Sequence, residues 1–124
     1  METELDIFKA LSDRNRLRIV AALSRHDELC ACQITEVLQV TGATASRHLS
    51  VLQHAGLAAS RKDGRWVYYH LTCPAGTEAV FQWLEKTFQT SDDLQADFQT
   101  LENIIEISRE DLCRQQRGEV CCPK

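Results

Sequence analysis

Six cysteines stand at positions 30, 32, 73, 113, 121 and 122 of a 124-residue chain. Four of them form two close pairs, Cys30-Ala31-Cys32 and Cys121-Cys122. As disulfides such pairs would close tight local rings and restrain the unfolded chain little. As thiolates they are soft donors that select soft ions. Trivalent arsenic and antimony take three sulfurs in a pyramid, and two cysteines one residue apart can supply neighbouring corners. The four histidines, His26, His48, His54 and His70, are scattered and form no ligand pair. No general base, phosphate loop or paired carboxylates accompany the cysteines, so an enzyme or metal carrier is the weaker expectation.

A second group of residues suits nucleic acid. Thr41-Gly42-Ala43-Thr44-Ala45-Ser46-Arg47-His48 crowds small hydroxyls and basic groups into one helical turn. Ala45, Leu49 and Leu52 turn inward at helical spacing, so Thr44, Arg47 and His48 project elsewhere, with Ser46 near the boundary. A recognition helix reads base edges near its N-terminal end. Arg pairs bidentately with guanine, while Thr41, Thr44 and Ser46 suit bases or phosphates. Lys62 and Arg65 flank an Asp63-Gly64 turn and would meet phosphates or the adjacent minor groove. The net charge of −4 hides an asymmetry. Residues 1–75 carry 9 basic and 8 acidic side chains, and residues 76–124 carry 5 and 10. A local basic surface is what phosphate contact needs.

These groups need elements to hold them. Leu5, Phe8 and Leu11 predict a helix over Glu2 to Leu11. Ser12 or Asp13 caps a second helix with Leu17, Val20 and Leu23 inward, ending near Ser24. A short helix carries Ile34, Val37 and Leu38, with Cys30 and Cys32 at its start, where a helix N-terminus favours thiolate. Gly42 marks a turn, and a helix runs from about Ala43 to His54 with Gly56 as its cap glycine. That is a helix-turn-helix. Residues 57–61 and 66–71 read as strands around a hairpin turn. Pro74 opens a last helical region. Val80, Phe81, Leu84 and Phe88 form one stripe, and Thr90-Ser91-Asp92 offers a break with a cap. Leu94, Phe98, Leu101, Ile105 and Leu112 then form a heptad-like seam that seeks a partner helix. The expected architecture is a mainly α (α+β) winged helix-turn-helix, assembled as a homodimer because one small core is little for a lone chain. Its divisions are a DNA-binding domain at 1–90, a dimerisation helix at 91–115 and a flexible Cys-containing tail at 116–124. The start METELDIFKALSD is acidic and amphipathic, unlike a signal peptide. No apolar run approaches the roughly 18 residues of a membrane span. The expected compartment is therefore the cytoplasm, where thiols stay reduced.

LSDRNRLRIVAAL (11–23), ELCACQITEVL (28–38), TGATASRHLSVLQHAGL (41–57) and RKDGRWVYYHL (61–71) together resemble the ArsR/SmtB family of metal-responsive repressors. The resemblance covers about residues 3–90. It implies a homodimer that holds symmetric, double-stranded operator DNA and lets go when an inducer binds. Glu28 to Cys32 resembles the thiolate site of the family's arsenic, antimony, cadmium and lead sensors. It implies As(III) or Sb(III) as effector, with cadmium, lead or thiol oxidation as alternatives, and no organic cofactor. The third cysteine of one arsenic-sensing branch is replaced here by Thr35. Cadmium and lead sensors take cysteines from an N-terminal arm, yet residues 1–29 hold none. The family's zinc-type site needs histidine on the last helix, which has none. The remaining donors are Cys73, Cys113, Cys121 and Cys122. The tail pair is favoured, because a mobile arm can reach a site on either subunit, and Cys121 and Cys122 can equally hold a metalloid themselves, helped by Cys113. Cys73 is expected to be buried.

Overall fold

A computed structural model describes residues 1–117. Seven helices and three strands follow in the order α1 (Glu2–Leu11), α2 (Arg14–Arg25), β1 (Leu29–Cys30), α3 (Ala31–Leu38), α4 (Gly42–His54), β2 (Ala58–Asp63), β3 (Trp66–Leu71), α5 (Glu78–Thr90), α6 (Asp92–Ile105) and α7 (Arg109–Arg117). The α3–turn–α4 unit followed by the β2–β3 hairpin is the expected winged helix-turn-helix. Among the described residues no helix is long and apolar enough to cross a membrane.

Local chemistry sets the helix ends. The Asp13 carboxylate accepts the N–H groups of Asn15 and Arg16 at 2.9 and 3.1 Å and starts α2. Thr41 starts α4 by accepting the Thr44 N–H at 3.1 Å, which moves the helix start one residue ahead of the sequence estimate. At the other end Gly56 takes a φ of 81°. The Leu57 N–H then reaches the Leu52 carbonyl at 2.9 Å, and the Gly56 N–H reaches Gln53 at 3.0 Å. This is a Schellman motif, and a side chain at 56 would be strained there.

The sheet is antiparallel, in the order β1-β3-β2. The β2–β3 hairpin pairs Ala58 with Leu71 through Asp63 with Trp66, and Gly64 turns it at a φ of 64°. The sequence pattern did not reveal β1, because two residues carry no periodicity. It exists only through pairing of Leu29 with Tyr69 and Cys30 with Tyr68.

The C-terminal region departs from expectation. One continuous helix over 91–115 is instead two, α6 and α7, parted at residues 106–108. Most of the predicted seam is covered by its own chain: Leu94, Phe98, Leu101 and Leu112 are buried in one core cluster with residues of α1 to α4, while Ile105 stays exposed. Arg18 bolts α6 in place. Its Nε and Nη2 donate to both Asp97 oxygens at 2.7 and 3.1 Å, and Nη2 also donates to the Val37 carbonyl at 2.9 Å. The core therefore runs across the expected boundary at residue 90. Among the described residues the large apolar side chains left exposed are Met1, Leu5 and Phe8 near the N-terminus, Trp83 on α5 and Ile105 on α6.

Burial would raise the Asp13 carboxyl, but the Arg16 and Asn15 N–H bonds and the charges of Arg16 and His48 outweigh it and hold it low. A depressed folded value stabilises above the unfolded carboxylate range, about 3.9, and that contribution fades as pH falls through the folded value. Asp13→Ala should cost about 1–2 kcal/mol in urea unfolding at neutral pH. The stability curves of variant and parent should approach each other as pH falls below about 3.9 and converge below the depressed folded value, where protonation removes the same cap.

Candidate DNA interface and thiol site

Helix α4 is fixed by Ala45, Leu49 and Leu52, all buried. Its exposed first turns carry Thr41, Ser46 and Arg47, with Thr44 half-buried. The Thr41 hydroxyl donates to the Thr44 hydroxyl at 3.0 Å, so the cap also orders the side chains at the tip. Lys62 and Arg65 are exposed at the end of the wing, and the Arg65 guanidinium lies 5.0 Å from the Trp66 ring centroid. His48, expected with Arg47 among the DNA contacts, is placed differently. It is turned to the α1–α2 junction, where Arg16 Nη1 donates to its Nδ1 at 3.3 Å and Asp13 lies at 3.9 Å. The side chain is 14% exposed.

The wing is braced at its root. Arg61 donates twice to the Glu28 carboxylate, at 2.6 and 2.8 Å, and lies over the Tyr68 ring. That hydrogen bond holds the Glu28 carboxyl below its ordinary value. Neither partner was singled out from sequence, because the pairing joins residues 33 apart in the chain.

The thiols sit at the start of α3. Cys30 ends β1 and also occupies the N-cap of α3, while the Gln33 side chain accepts the Cys30 N–H at 2.8 Å. This is a capping box with sulfur where serine or threonine usually stands. Cys30 is 0% and Cys32 2% exposed. Their sulfurs are 3.2 Å apart, and neither belongs to a disulfide. The strand pairing sets Tyr68 opposite Cys30. Burial raises the Tyr68 and Tyr69 phenols, and Cys30 adds to that rise. Cys32 also lines a cleft of about 750 Å³ shared with Thr35, Glu36, Thr41, Ser46 and Gln116. One wall of that cleft is the first turns of α4.

Cys113 is buried in the same core cluster and is disulfide-bonded. Cys73 is exposed rather than buried, because it follows the end of β3 on the surface. Partial burial and the charges of Glu78 and Glu85 push its thiol up, which disfavours thiolate. Cys121 and Cys122 lie outside the described residues. Among the described residues no group of three or more His, Cys, Asp or Glu is assembled to hold a metal ion. The sequence reading missed Gln116, which donates to the Cys32 carbonyl at 2.9 Å and to Glu36 at 3.0 Å. It also missed Arg109, which lies over the Trp66 and Tyr68 rings. A polar helix gives no sign of which distant backbone it will meet.

A helix-turn-helix with a basic-tipped wing defines a DNA-binding regulator of the winged-helix class. Residues 13–60 match the model of the family described as "Bacterial regulatory protein, arsR family". The arsenic resistance transcriptional regulator ArsR2 of Pseudomonas putida is 34% identical over 122 residues, covering 98% of this chain and 100% of that one. The chain therefore belongs to the ArsR family of bacterial transcriptional regulators. A cadmium resistance transcriptional regulatory protein CadC homolog of Staphylococcus aureus is 44% identical over 82 residues. That match covers 66% of this chain but only 64% of the relative. The fold is similar to that of a homodimeric winged helix-turn-helix DNA-binding domain from Mycobacterium bovis, described as a possible ArsR-family regulator. There the TM-score is 0.60 at 25% identity, over 74% of this chain and 81% of that one.

Arg47→Ala should cost about 1–3 kcal/mol on the preferred DNA sequence and relax discrimination at one base pair. Lys62→Ala should weaken all sequences alike and flatten the salt dependence by about 0.9 in log–log slope per lost phosphate contact. Binding titrations at several salt concentrations separate the two effects.

Proposed function

We propose that this chain is a cytoplasmic repressor that binds operator DNA as a homodimer and is released when As(III) or Sb(III) binds the Cys30–Cys32 thiolates. The observation that carries the reading is the buried sulfur pair, 3.2 Å apart, at the head of α3. With a metal–sulfur bond of about 2.3 Å, sulfurs 3.2 Å apart subtend roughly 88° at a shared ion. That angle suits a pyramidal trivalent metalloid better than a tetrahedral ion at roughly 109°. The name of the Pseudomonas relative agrees with this effector.

In this reading residues 1–90 supply DNA recognition through Thr41, Thr44, Ser46 and Arg47 on α4 and Lys62 and Arg65 on the wing. His48 contributes by positioning α4 against Asp13 and Arg16. A second copy covers the exposed apolar side chains of α1 and α5, Phe8 at 59% and Trp83 at 66% exposure. In this reading the dimer contact lies on α1 and α5 rather than on the seam of residues 91–115. The two α4 helices of a dimer would enter major grooves about 34–36 Å apart. Loading the thiolates displaces α3, and α3 packs on α4, so the loaded dimer fits that spacing less well. The effector must favour one of the two states, or nothing shifts. No catalytic role is assigned. Cadmium or lead is the second reading, favoured by the name of the Staphylococcus relative.

Arsenite should lower operator affinity of the reduced protein by about 5–150-fold, the usual range of allosteric coupling. Cys30→Ser and Cys32→Ser should keep DNA binding and lose the release. Release by cadmium but not arsenite would favour the second reading, and release by peroxide without metal would favour a thiol switch. If no thiophilic ion frees the DNA, the reading fails. Phe8→Asp and Trp83→Asp should each shift the protein toward monomer in sedimentation and weaken operator binding.

A further inference from the structure

Helix α7 is pinned at both ends to the segment that carries the thiol pair. At its first turn the Arg109 guanidinium lies 5.4 Å from the ring centroid of Tyr68, which is the register partner of Cys30. Near its last turn Gln116 donates to the carbonyl of Cys32 at 2.9 Å. Positions 109, 113 and 116 are four and three residues apart, so they share one helical stripe. At about 1.5 Å per residue the stripe spans roughly 10 Å. Cys113 stands between the two pins, 0% exposed, in the same core cluster as Cys30 and Cys32. Cys113 therefore lies on the face of α7 that packs against α3 and the segment from Cys30 to Cys32. Thr35, one turn beyond Cys32 on α3, has no sulfur, and its hydroxyl donates to the Ala31 carbonyl at 2.8 Å.

We propose that Cys113 of the same chain is the third thiolate of the inducer site and completes a pyramidal three-sulfur set with Cys30 and Cys32. This rests on the pair being the inducer site. Among the described residues the set is not assembled, and Cys113 is disulfide-bonded. Loading therefore begins with reduction by a low-molecular-weight thiol of the glutathione class. Two reductant thiols deliver two electrons and two protons. The Cys113 disulfide becomes two thiols, and the reductant departs as its own disulfide. Arsenous acid then exchanges three hydroxyls for three thiolates. Three As–O bonds break, three As–S bonds form, and the three thiol protons leave with the hydroxyls as water. Arsenic remains trivalent throughout. Because Arg109 lies against β3, drawing Cys113 toward α3 also pulls on the wing, so both DNA-contacting elements feel the ion.

The test uses the reduced full chain and reads the ultraviolet sulfur-to-arsenic absorption, without DNA. Two probes are titrated: arsenite, which takes three thiolates, and phenylarsine oxide, whose arsenic takes two. Cys113→Ser should weaken arsenite by at least about tenfold, since even partners of a metal's ligands cost 10–100-fold when removed. It should still bind phenylarsine oxide through Cys30 and Cys32. Unchanged arsenite affinity in Cys113→Ser overturns the proposal. So does loss of arsenite binding in Cys121→Ser with Cys122→Ser while Cys113→Ser keeps it. If Cys113→Ser fails to fold, Cys113→Ala, which keeps a small apolar group in the core, decides by the same criteria. Should Cys30→Ser leave both probes unaffected, the inducer-site reading itself fails, which is a separate result.

Discussion

Two sulfurs with almost no contact with solvent, held 3.2 Å apart at the junction of a strand and a helix, are the constraint on which the rest depends. An ion cannot reach both without displacing side chains that pack around them. Protein interiors are close-packed and answer such a demand by shifting whole elements rather than by local give. In the proposed reading, capture of an ion there and the position of α3 are two descriptions of one event. A surface pair of thiols would bind an ion just as well and report nothing.

The elements around α3 tie it to the rest of the fold. Arg18 ties the C-terminal carbonyl of α3 at Val37 to α6 through Asp97. Gln116 ties its N-terminal carbonyl at Cys32 to α7. Glu28, two residues before Cys30, holds the wing through Arg61. Arg16 and Asp13 reach α4 through His48. The thiol helix is therefore connected to the recognition helix by packing and to the wing by hydrogen bonds. Charge is partitioned to match: the basic tip of the wing and Arg47 stay exposed, while acidic side chains gather on the C-terminal helices.

The C-terminal region shows that an apolar pattern does not name the surface it will meet. The seam Leu94, Phe98 and Leu101 does need an apolar partner and finds it in α2 and α3 of its own chain. Helical periodicity records that a face must be covered but not by whom. The break at 106–108 redirects the chain so that Leu112 and Cys113 return to the core.

The sequence by itself determined the local structure and the chemistry on offer. Asp13, Thr41 and Ser91 accept backbone N–H groups within their own helices, Gly56 and Gly64 meet turns that need positive φ, and the run at 66–71, rich in β-formers, pairs as a strand. These interactions act within a few residues, so residue type and spacing suffice to locate them. Tertiary structure decided the rest. It formed β1 from two residues, turned His48 inward, exposed Cys73, and buried Cys113 in the same core as the thiol pair. Each of those outcomes depends on groups dozens of residues away. Contacts of that range follow from how the helices stack, and no local pattern encodes them.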